Sequence, residues 1–182
     1  MATLDVRCLD AFPNWLRSLA QDARALASVL ETEGSGATHR RAAAALNYLF
    51  KSLDLIPDGL EDLGFIDDAF VVRAAADAVK HESEVALAID SSGTLARLAE
   101  EADLVREFLG TEYARLAKYV AGLEQGSARG RSVNDILADA AVRADFVREV
   151  RQWADGYAVP SFTRDERNLV KLRSFLLAKL PA

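Results

Sequence analysis

The sequence predicts an all-α protein, folded as a compact bundle of six or seven helices that includes an antiparallel helical hairpin. Three observations support this fold class. The chain has 182 residues, of which 51% are hydrophobic, so it is long and apolar enough to bury a sizeable core. Apolar residues recur at steps of three and four along most of its length, as they do in helices with one buried face. No run of five or six residues alternates apolar and polar side chains with β-branched enrichment, so no sheet is expected.

The predicted helices are separated by breaks rich in glycine, serine or proline. They span about 12–32, 38–53, 66–89, 94–109, 112–123, 132–153 and 163–179. In the first helix, Asp10 is the expected N-cap and Pro13 falls in the first turn, where its missing N–H costs nothing. The Gly-Ser-Gly at 34–36 ends that helix. The last helix is expected to begin with a capping box between Thr163 and Glu166.

The predicted organisation is a single helical domain over residues 1–182, with a motif hairpin at 38–90. The segment 124–132 has the small polar composition of a mobile loop and marks the one expected loose boundary. There is one cysteine, Cys8, so no internal disulfide or multi-cysteine zinc site is expected, which fits a reducing compartment. Charges near the N-terminus argue against a secretion signal, and no apolar run is long enough to span a membrane, so we expect a cytoplasmic protein.

Acidic residues are concentrated in one segment. The chain carries a formal net charge of -6, and six acids but no Lys, Arg or His lie between Ser52 and Val72. Without those six, acidic and basic residues are equal in number, so this segment accounts for the whole net charge. The search for a functional site therefore starts there.

The acidic segment joins the second and third predicted helices. A connection of about a dozen residues favours antiparallel neighbours, which brings the end of one helix close to the start of the next. Four carboxylates are then expected to converge at one pole of the hairpin: Asp54, Asp58, Asp67 and Asp68. Asp67 falls on the apolar seam of the third helix and needs a partner there, for which the candidates are helix-start N–H groups, an arginine or a cation. The same helical wheel places Arg73, Asp77 and Lys80 on the opposite face, where solvent is expected.

Residues 45–72 read ALNYLFKSLDLIPDGLEDLGFIDDAFVV, and this segment resembles the signature of the YkvA-like family, small bacterial helical domains of unknown function. The matching residues are Tyr48, Leu49, Asp54, Ile56, Pro57, Asp58, Gly64, Asp67, Asp68 and Ala69. Ser52 and Glu61 stand where the signature has prolines, which makes this turn more acidic and less rigid. The resemblance implies a helical fold in which Pro57 and Gly64 shape the turn, and it supplies no catalytic set.

Three functions remain open on this evidence. The leading expectation is a non-enzymatic structural or protein-interaction module built around the acidic turn, with an unidentified protein partner. One alternative is a hydrolase or lyase that uses Mg²⁺ or Ca²⁺ bound by Asp54, Asp58, Asp67 and Asp68, since these cations prefer clustered carboxylate oxygens. The other is peripheral membrane contact through the basic last helix. No nucleotide-binding or metalloprotease motif is present, and no nucleic-acid partner is expected.

Overall fold

The computed structural model describes residues 2–34 and 36–182 and confirms the all-α class. Met1, and Ser35 within the predicted Gly-Ser-Gly break, lie outside the described residues. The helices are α1 (Leu4–Glu31), α2 (Ala37–Tyr48), α3 (Ile66–Glu82), α4 (Thr94–Leu109), α5 (Tyr113–Leu123), α6 (Val133–Ala138), α7 (Ala140–Gly156) and α8 (Glu166–Lys179). Two short 3-10 helices, Glu84–Ile89 and Gly110–Glu112, flank α4. The only β structure in the described ranges is one antiparallel pair of two-residue strands, β1 (Ser127–Ala128) and β2 (Arg131–Ser132). It lies inside the predicted loop 124–132.

Helix α3 lies in the middle of the bundle, in contact with α1, α2, α4 and α5. Its aromatic side chain Phe70 packs against Phe12 of α1 and Phe108 of α4, with ring centroids 5.2 and 6.0 Å apart. These edge-on contacts join α1, α3 and α4 at one point of the core. They stabilise the bundle by more than the burial of their apolar area alone would.

The hairpin of α2 and α3 is antiparallel. At one end Tyr48, the last residue of α2, hydrogen-bonds Asp67 in the first turn of α3. At the other end Arg41 of α2 forms an ion pair with Glu82, the last residue of α3. The acidic turn therefore occupies one pole of the pair, as the short connection predicts.

Several helix ends differ from those predicted. Helix α1 begins at Leu4, eight residues earlier than expected, because Thr3 caps it and Pro13 is accepted inside the helix. Helix α3 ends at Glu82, since Ser83 is fully extended, and a 3-10 helix replaces its predicted last turns. The predicted helix 132–153 is divided at Asp139, whose carboxylate accepts from two backbone N–H groups and starts α7 anew.

The predicted capping box of α8 is wrong. Asp165 is the N-cap, and its side chain accepts a hydrogen bond from the backbone N–H of Arg167. Thr163 instead donates both its N–H and its hydroxyl to the carboxylate of Asp62, at 2.8 and 2.9 Å. A tertiary contact has therefore replaced the local cap that the sequence suggests.

The predicted solvent face of α3 is also wrong, because α4 and α5 cover it. Arg73 is fully buried, with its guanidinium 4.1 Å from the ring centroid of Trp15 and 2.6 Å from a carboxylate oxygen of Glu101. Asp77 is buried as well and accepts hydrogen bonds from Arg106 and the Tyr113 hydroxyl, each at 2.7 Å. Burial lowers the pKa of Arg73 to about 10, and the nearby carboxylates oppose this by favouring its charged form.

Candidate functional site: the acidic turn

The acidic turn comprises residues 49–65, between the end of α2 and the start of α3. Leu55 and Ile56 in its middle are 4% and 0% exposed, so this stretch is anchored in the core. Asp67 and Asp68, in the first turn of α3, are also buried. Asp54 is half-buried, and Asp58 lies on the exposed side of the turn.

Asp67 is the hydrogen-bonding centre of the turn. Its Oδ2 accepts from the Tyr48 hydroxyl at 2.6 Å and from the backbone N–H of Ile56 at 3.0 Å. The Tyr48 hydroxyl in turn accepts from the backbone N–H of Leu55 at 2.8 Å. One carboxylate thus links the end of α2, the turn and the start of α3, and the partners of Asp67 are a tyrosine and a turn amide rather than an arginine.

Gly64 is required by a close backbone approach. A Cβ atom at this position would lie 2.0 Å from the carbonyl oxygen of Asp58, well inside van der Waals contact. The Gly64 N–H donates to the carbonyl of Leu60 at 2.8 Å, which closes this part of the turn. Next to it, Asp62 and Phe65 have φ values of 65° and 63°, so the backbone enters the left-handed region twice. The turn holds this conformation because its surroundings fix it.

The far side of the turn is held by the end of α7 and by the segment between α7 and α8. Besides the contact between Asp62 and Thr163, the ring of Phe65 packs against Tyr157 and Trp153, with centroids 5.4 and 6.2 Å away. In the sequence, Asp62 stands out only as one of the six acids of the segment, and these contacts are not predicted. No local pattern signals them, because the partners lie about a hundred residues further along the chain.

Three carboxylates of this corner each have a buried oxygen without a hydrogen-bond partner: Asp54 Oδ1, Asp67 Oδ1 and Asp68 Oδ2. Burial raises the pKa of Asp54 to about 7, and the charges of Asp58 and Asp67 act in the same direction. Burial also raises the pKa of Asp68 well above its usual range, with added repulsion from the other three carboxylates. The four predicted residues therefore lie close enough together to influence one another's ionisation.

The other buried carboxylates of the bundle are treated differently. Asp22 is paired with Arg97 and lies 3.7 Å from Arg73. Asp77 forms an ion pair with Arg106. At the acidic turn and the adjoining first turn of α3, by contrast, no arginine or lysine lies within ion-pair distance of Asp54, Asp67 or Asp68 in the described part of the chain. The fold compensates its buried charges elsewhere and leaves these three without a protein cation.

A preformed metal centre is absent from residues 2–34 and 36–182: no group of three or more His, Cys, Asp or Glu side chains there is arranged to hold an ion. The Mg²⁺ or Ca²⁺ site at Asp54, Asp58, Asp67 and Asp68 accordingly stays a prediction. Of the buried pair, Asp67 already gives one oxygen to protein donors, so it has one oxygen left for a ligand.

The outer face of the turn carries an apolar side chain among acids. Leu53 is 82% exposed, and Pro57, Asp58 and Glu61 are exposed beside it in the chain. The segment from Ser52 to Val72 contains no basic residue, so the charged side chains that it exposes are all acidic.

One family model matches this part of the chain. Residues 41–73 match the model of a family described as "Protein of unknown function (DUF1232)". The match covers the acidic turn and the helix ends on either side of it, and it confirms the resemblance predicted for residues 45–72. Neither curated proteins nor solved structures gave a match. No helix in the described residues is long and apolar enough to cross a membrane.

Proposed function

We propose that this protein is a non-enzymatic interaction module that presents the acidic turn to a partner with a basic surface. Four residues of the turn are exposed, Leu53, Pro57, Asp58 and Glu61, while its inner side is fixed in the core, and this observation carries the proposal. Exposed carboxylates and an exposed leucine on one short turn are complementary to lysine or arginine side chains beside a small apolar surface.

The internal contacts of the turn favour this function because they fix its shape before binding. On the inner side, Asp67 accepts hydrogen bonds from Tyr48 and Ile56. On the far side, Asp62 accepts hydrogen bonds from Thr163. A loop that is already ordered loses little conformational entropy when it binds, so more of the contact energy appears as affinity. Steering by the local negative charge would raise the association rate with a basic partner and make it sensitive to salt.

A matched pair of peptides tests the proposal. The probes are two fluorescent amphipathic helices of the same length, one of leucine and lysine and the other of leucine and glutamate. We expect the full chain to bind the lysine peptide at least about tenfold more tightly, with an affinity that falls as salt is added. Equal binding of both peptides would contradict the proposal.

The surface is tested with variants matched in exposure. Leu53→Ser, combined with Asp58→Asn and Glu61→Gln, should weaken binding of the lysine peptide by about tenfold or more. Val85 is also 82% exposed but lies outside the turn, so Val85→Ser with Glu100→Gln is the control and should bind like the wild type. If the two sets of substitutions have the same effect, the acidic turn is not the binding surface.

Divalent-cation binding is a second candidate function, favoured by the unpartnered oxygens of Asp54, Asp67 and Asp68. Hard cations such as Mg²⁺ and Ca²⁺ would provide the directly bound positive charge that no lysine or arginine of the described residues supplies within ion-pair distance. Binding would have to draw Asp54 and Asp58 towards the buried pair, because the described residues hold no ready-made set of ligands.

Thermal unfolding with and without cation tests this second function. A cation at about one hundred times its Kd adds about 2.7 kcal/mol to the free energy of unfolding. We expect Ca²⁺, Mg²⁺ or Mn²⁺ to raise the Tm of the wild type and to have no effect on a variant with Asp54→Asn and Asp68→Asn. No shift with any of the three cations would eliminate the site. Peripheral membrane contact through α8 stays a prediction.

A further inference from the structure

A cavity of about 280 Å³ lies between α2 and α5, beside the acidic turn but separate from its exposed face. Its lining is largely apolar and includes the rings of Tyr48 and Tyr119, whose centroids are 6.1 Å apart and whose planes are nearly perpendicular. We call it the tyrosine cavity. Gly122 lies at its edge, and a Cβ atom added there would meet nothing within 4 Å. The space is near the lower end of the range found for small-molecule sites.

Lys51 brings a positive charge to this apolar cavity. Its ammonium lies 5.1 Å from the ring centroid of Tyr119 and 5.8 Å from that of Tyr48, and it donates to the Tyr119 hydroxyl at 3.0 Å. Its charge lowers the pKa of Asp54, but no carboxylate of the described residues lies within ion-pair distance of it. Two of the three ammonium protons are therefore available to an anion.

Lys118 also lines the cavity and already makes one hydrogen bond. Its ammonium donates to the backbone oxygen of Ala182 at 2.9 Å. Lys51 is the lysine whose ammonium lies against both tyrosine rings of the cavity, so the anion is assigned to Lys51.

Asn47 provides an independent indication of a ligand. The residue lines the cavity and is only 4% exposed. Its Nδ2 donates to the carbonyl of Arg131 at 3.2 Å, which fixes the orientation of the amide, and its Oδ1 is buried without a partner. A buried acceptor of this kind costs free energy until a donor reaches it. Because Asn47 lines the cavity, a ligand bound there that carries an O–H or N–H group would supply the missing donor.

We propose that the tyrosine cavity binds a small, mainly apolar carboxylic acid that also carries a hydroxyl or N–H group. The carboxylate pairs with Lys51, the apolar body packs against Tyr48 and Tyr119, and the donor satisfies Oδ1 of Asn47. This site is independent of the partner surface on the acidic turn, and either can be present without the other.

Three para-hydroxylated aromatic acids of increasing length serve as probes: para-hydroxybenzoate, para-hydroxyphenylacetate and para-hydroxyphenylpropanoate. Binding is followed in the ¹⁵N-labelled full chain by chemical-shift changes of the Asn47 side-chain amide, titrated into the millimolar range. Each acid is compared with its analogue lacking the hydroxyl and with its neutral carboxamide. For at least one length we expect saturable binding that weakens about threefold or more without the hydroxyl and about tenfold without the charge.

Two variants locate the binding. Lys51→Met should weaken the best acid by about tenfold and bring its affinity close to that of the carboxamide. Gly122→Leu adds a large side chain to the lining of the cavity, in a helical position where leucine is well tolerated, and should weaken or abolish the shifts at Asn47 in a folded protein. The proposal is overturned if none of the acids shifts the Asn47 amide, or if binding survives Gly122→Leu unchanged. It is equally overturned if the carboxamides bind as well as the acids.

Discussion

The hydroxyl group of Tyr48, which bonds Asp67, should contribute more to the free energy of unfolding than a single hydrogen bond usually does. Tyr48→Phe removes the donor to Asp67 Oδ2, a bond of 2.6 Å, and at the same time removes the acceptor of the Leu55 N–H. Both losses occur in a corner where Tyr48 and Leu55 are 1% and 4% exposed, so water cannot easily replace the missing partner.

The expected magnitude follows from these two losses. A hydrogen bond to a charged group contributes about 1.5–3 kcal/mol, and a buried N–H left without a partner costs about 1–3 kcal/mol. Since the turn can relax in part, we expect Tyr48→Phe to lower the free energy of unfolding by about 3 kcal/mol. For a chain of this length this corresponds to a fall in Tm of about 6–12 °C.

Urea unfolding of four proteins measures the coupling: wild type, Tyr48→Phe, Asp67→Asn and the double variant. Asp67→Asn keeps an acceptor but removes the charge, so Tyr48→Phe should cost about 1–1.5 kcal/mol less in that background. The matched control is Tyr113→Phe, which also removes a tyrosine donor to a buried carboxylate. There Asp77 keeps Arg106, so we expect a loss of only about 1 kcal/mol.

Two results would refute the reasoning about Asp67 as the centre of the turn. One is a cost for Tyr48→Phe no larger than that of Tyr113→Phe. The other is a cost that is the same with aspartate and with asparagine at position 67, because the carboxylate would then contribute nothing specific to the bond.

Three further substitutions have definite expected outcomes. The pKa of Asp54 is raised from 3.8 to about 7, which at full burial corresponds to about 4 kcal/mol and at its half exposure to about 2 kcal/mol. This contribution is complete below about pH 4 and is lost as the pH rises through about 7, so the wild type should lose about 2 kcal/mol between about pH 4 and pH 8 relative to Asp54→Asn. Gly64→Ala should cost about 3 kcal/mol in urea unfolding because its Cβ meets a backbone oxygen, whereas Gly59→Ala, with open space around it, should stay within about 1 kcal/mol. Arg73→Met should cost about 3–5 kcal/mol by leaving buried acids short of a cation, while Arg7→Met at an exposed ion pair should cost under about 1 kcal/mol by the same assay; equal losses would contradict this account of the buried network.

The hairpin and its acidic pole follow from local sequence features. The three-and-four spacing defines α2 and α3, and the short connection places their ends together. The helical wheel puts Asp67 on the buried seam, and its side chain is indeed fully buried. The need for a partner was also predictable, because a buried carboxylate without one is costly.

The identity of that partner was not predictable from the same features. Tyr48 reaches Asp67 because α2 ends at Tyr48, five residues before the predicted Leu53, and the chain then turns back to place the N–H of Ile56 beside the same oxygen. Periodicity does not report where a helix unwinds to form a tertiary hydrogen bond.

The burial of the second face of α3 was not predictable from the sequence for a related reason. A wheel divides a helix into an apolar and a polar face, but α3 is covered on both, and its polar residues are paired instead of solvated. Arg73 reads as a surface residue until Trp15 and Glu101 are brought to it from other helices. Such pairing depends on the fold as a whole and leaves no local trace.

Mapping where a basic partner binds is the most direct test of whether the acidic turn is a partner-binding surface. Backbone amide shifts of the ¹⁵N-labelled chain are recorded as the leucine–lysine peptide is added. Our account predicts that the largest shifts fall within residues 52–62 and disappear when Leu53, Asp58 and Glu61 are replaced by Ser, Asn and Gln. Shifts centred on any other surface, or unchanged by these replacements, would contradict it.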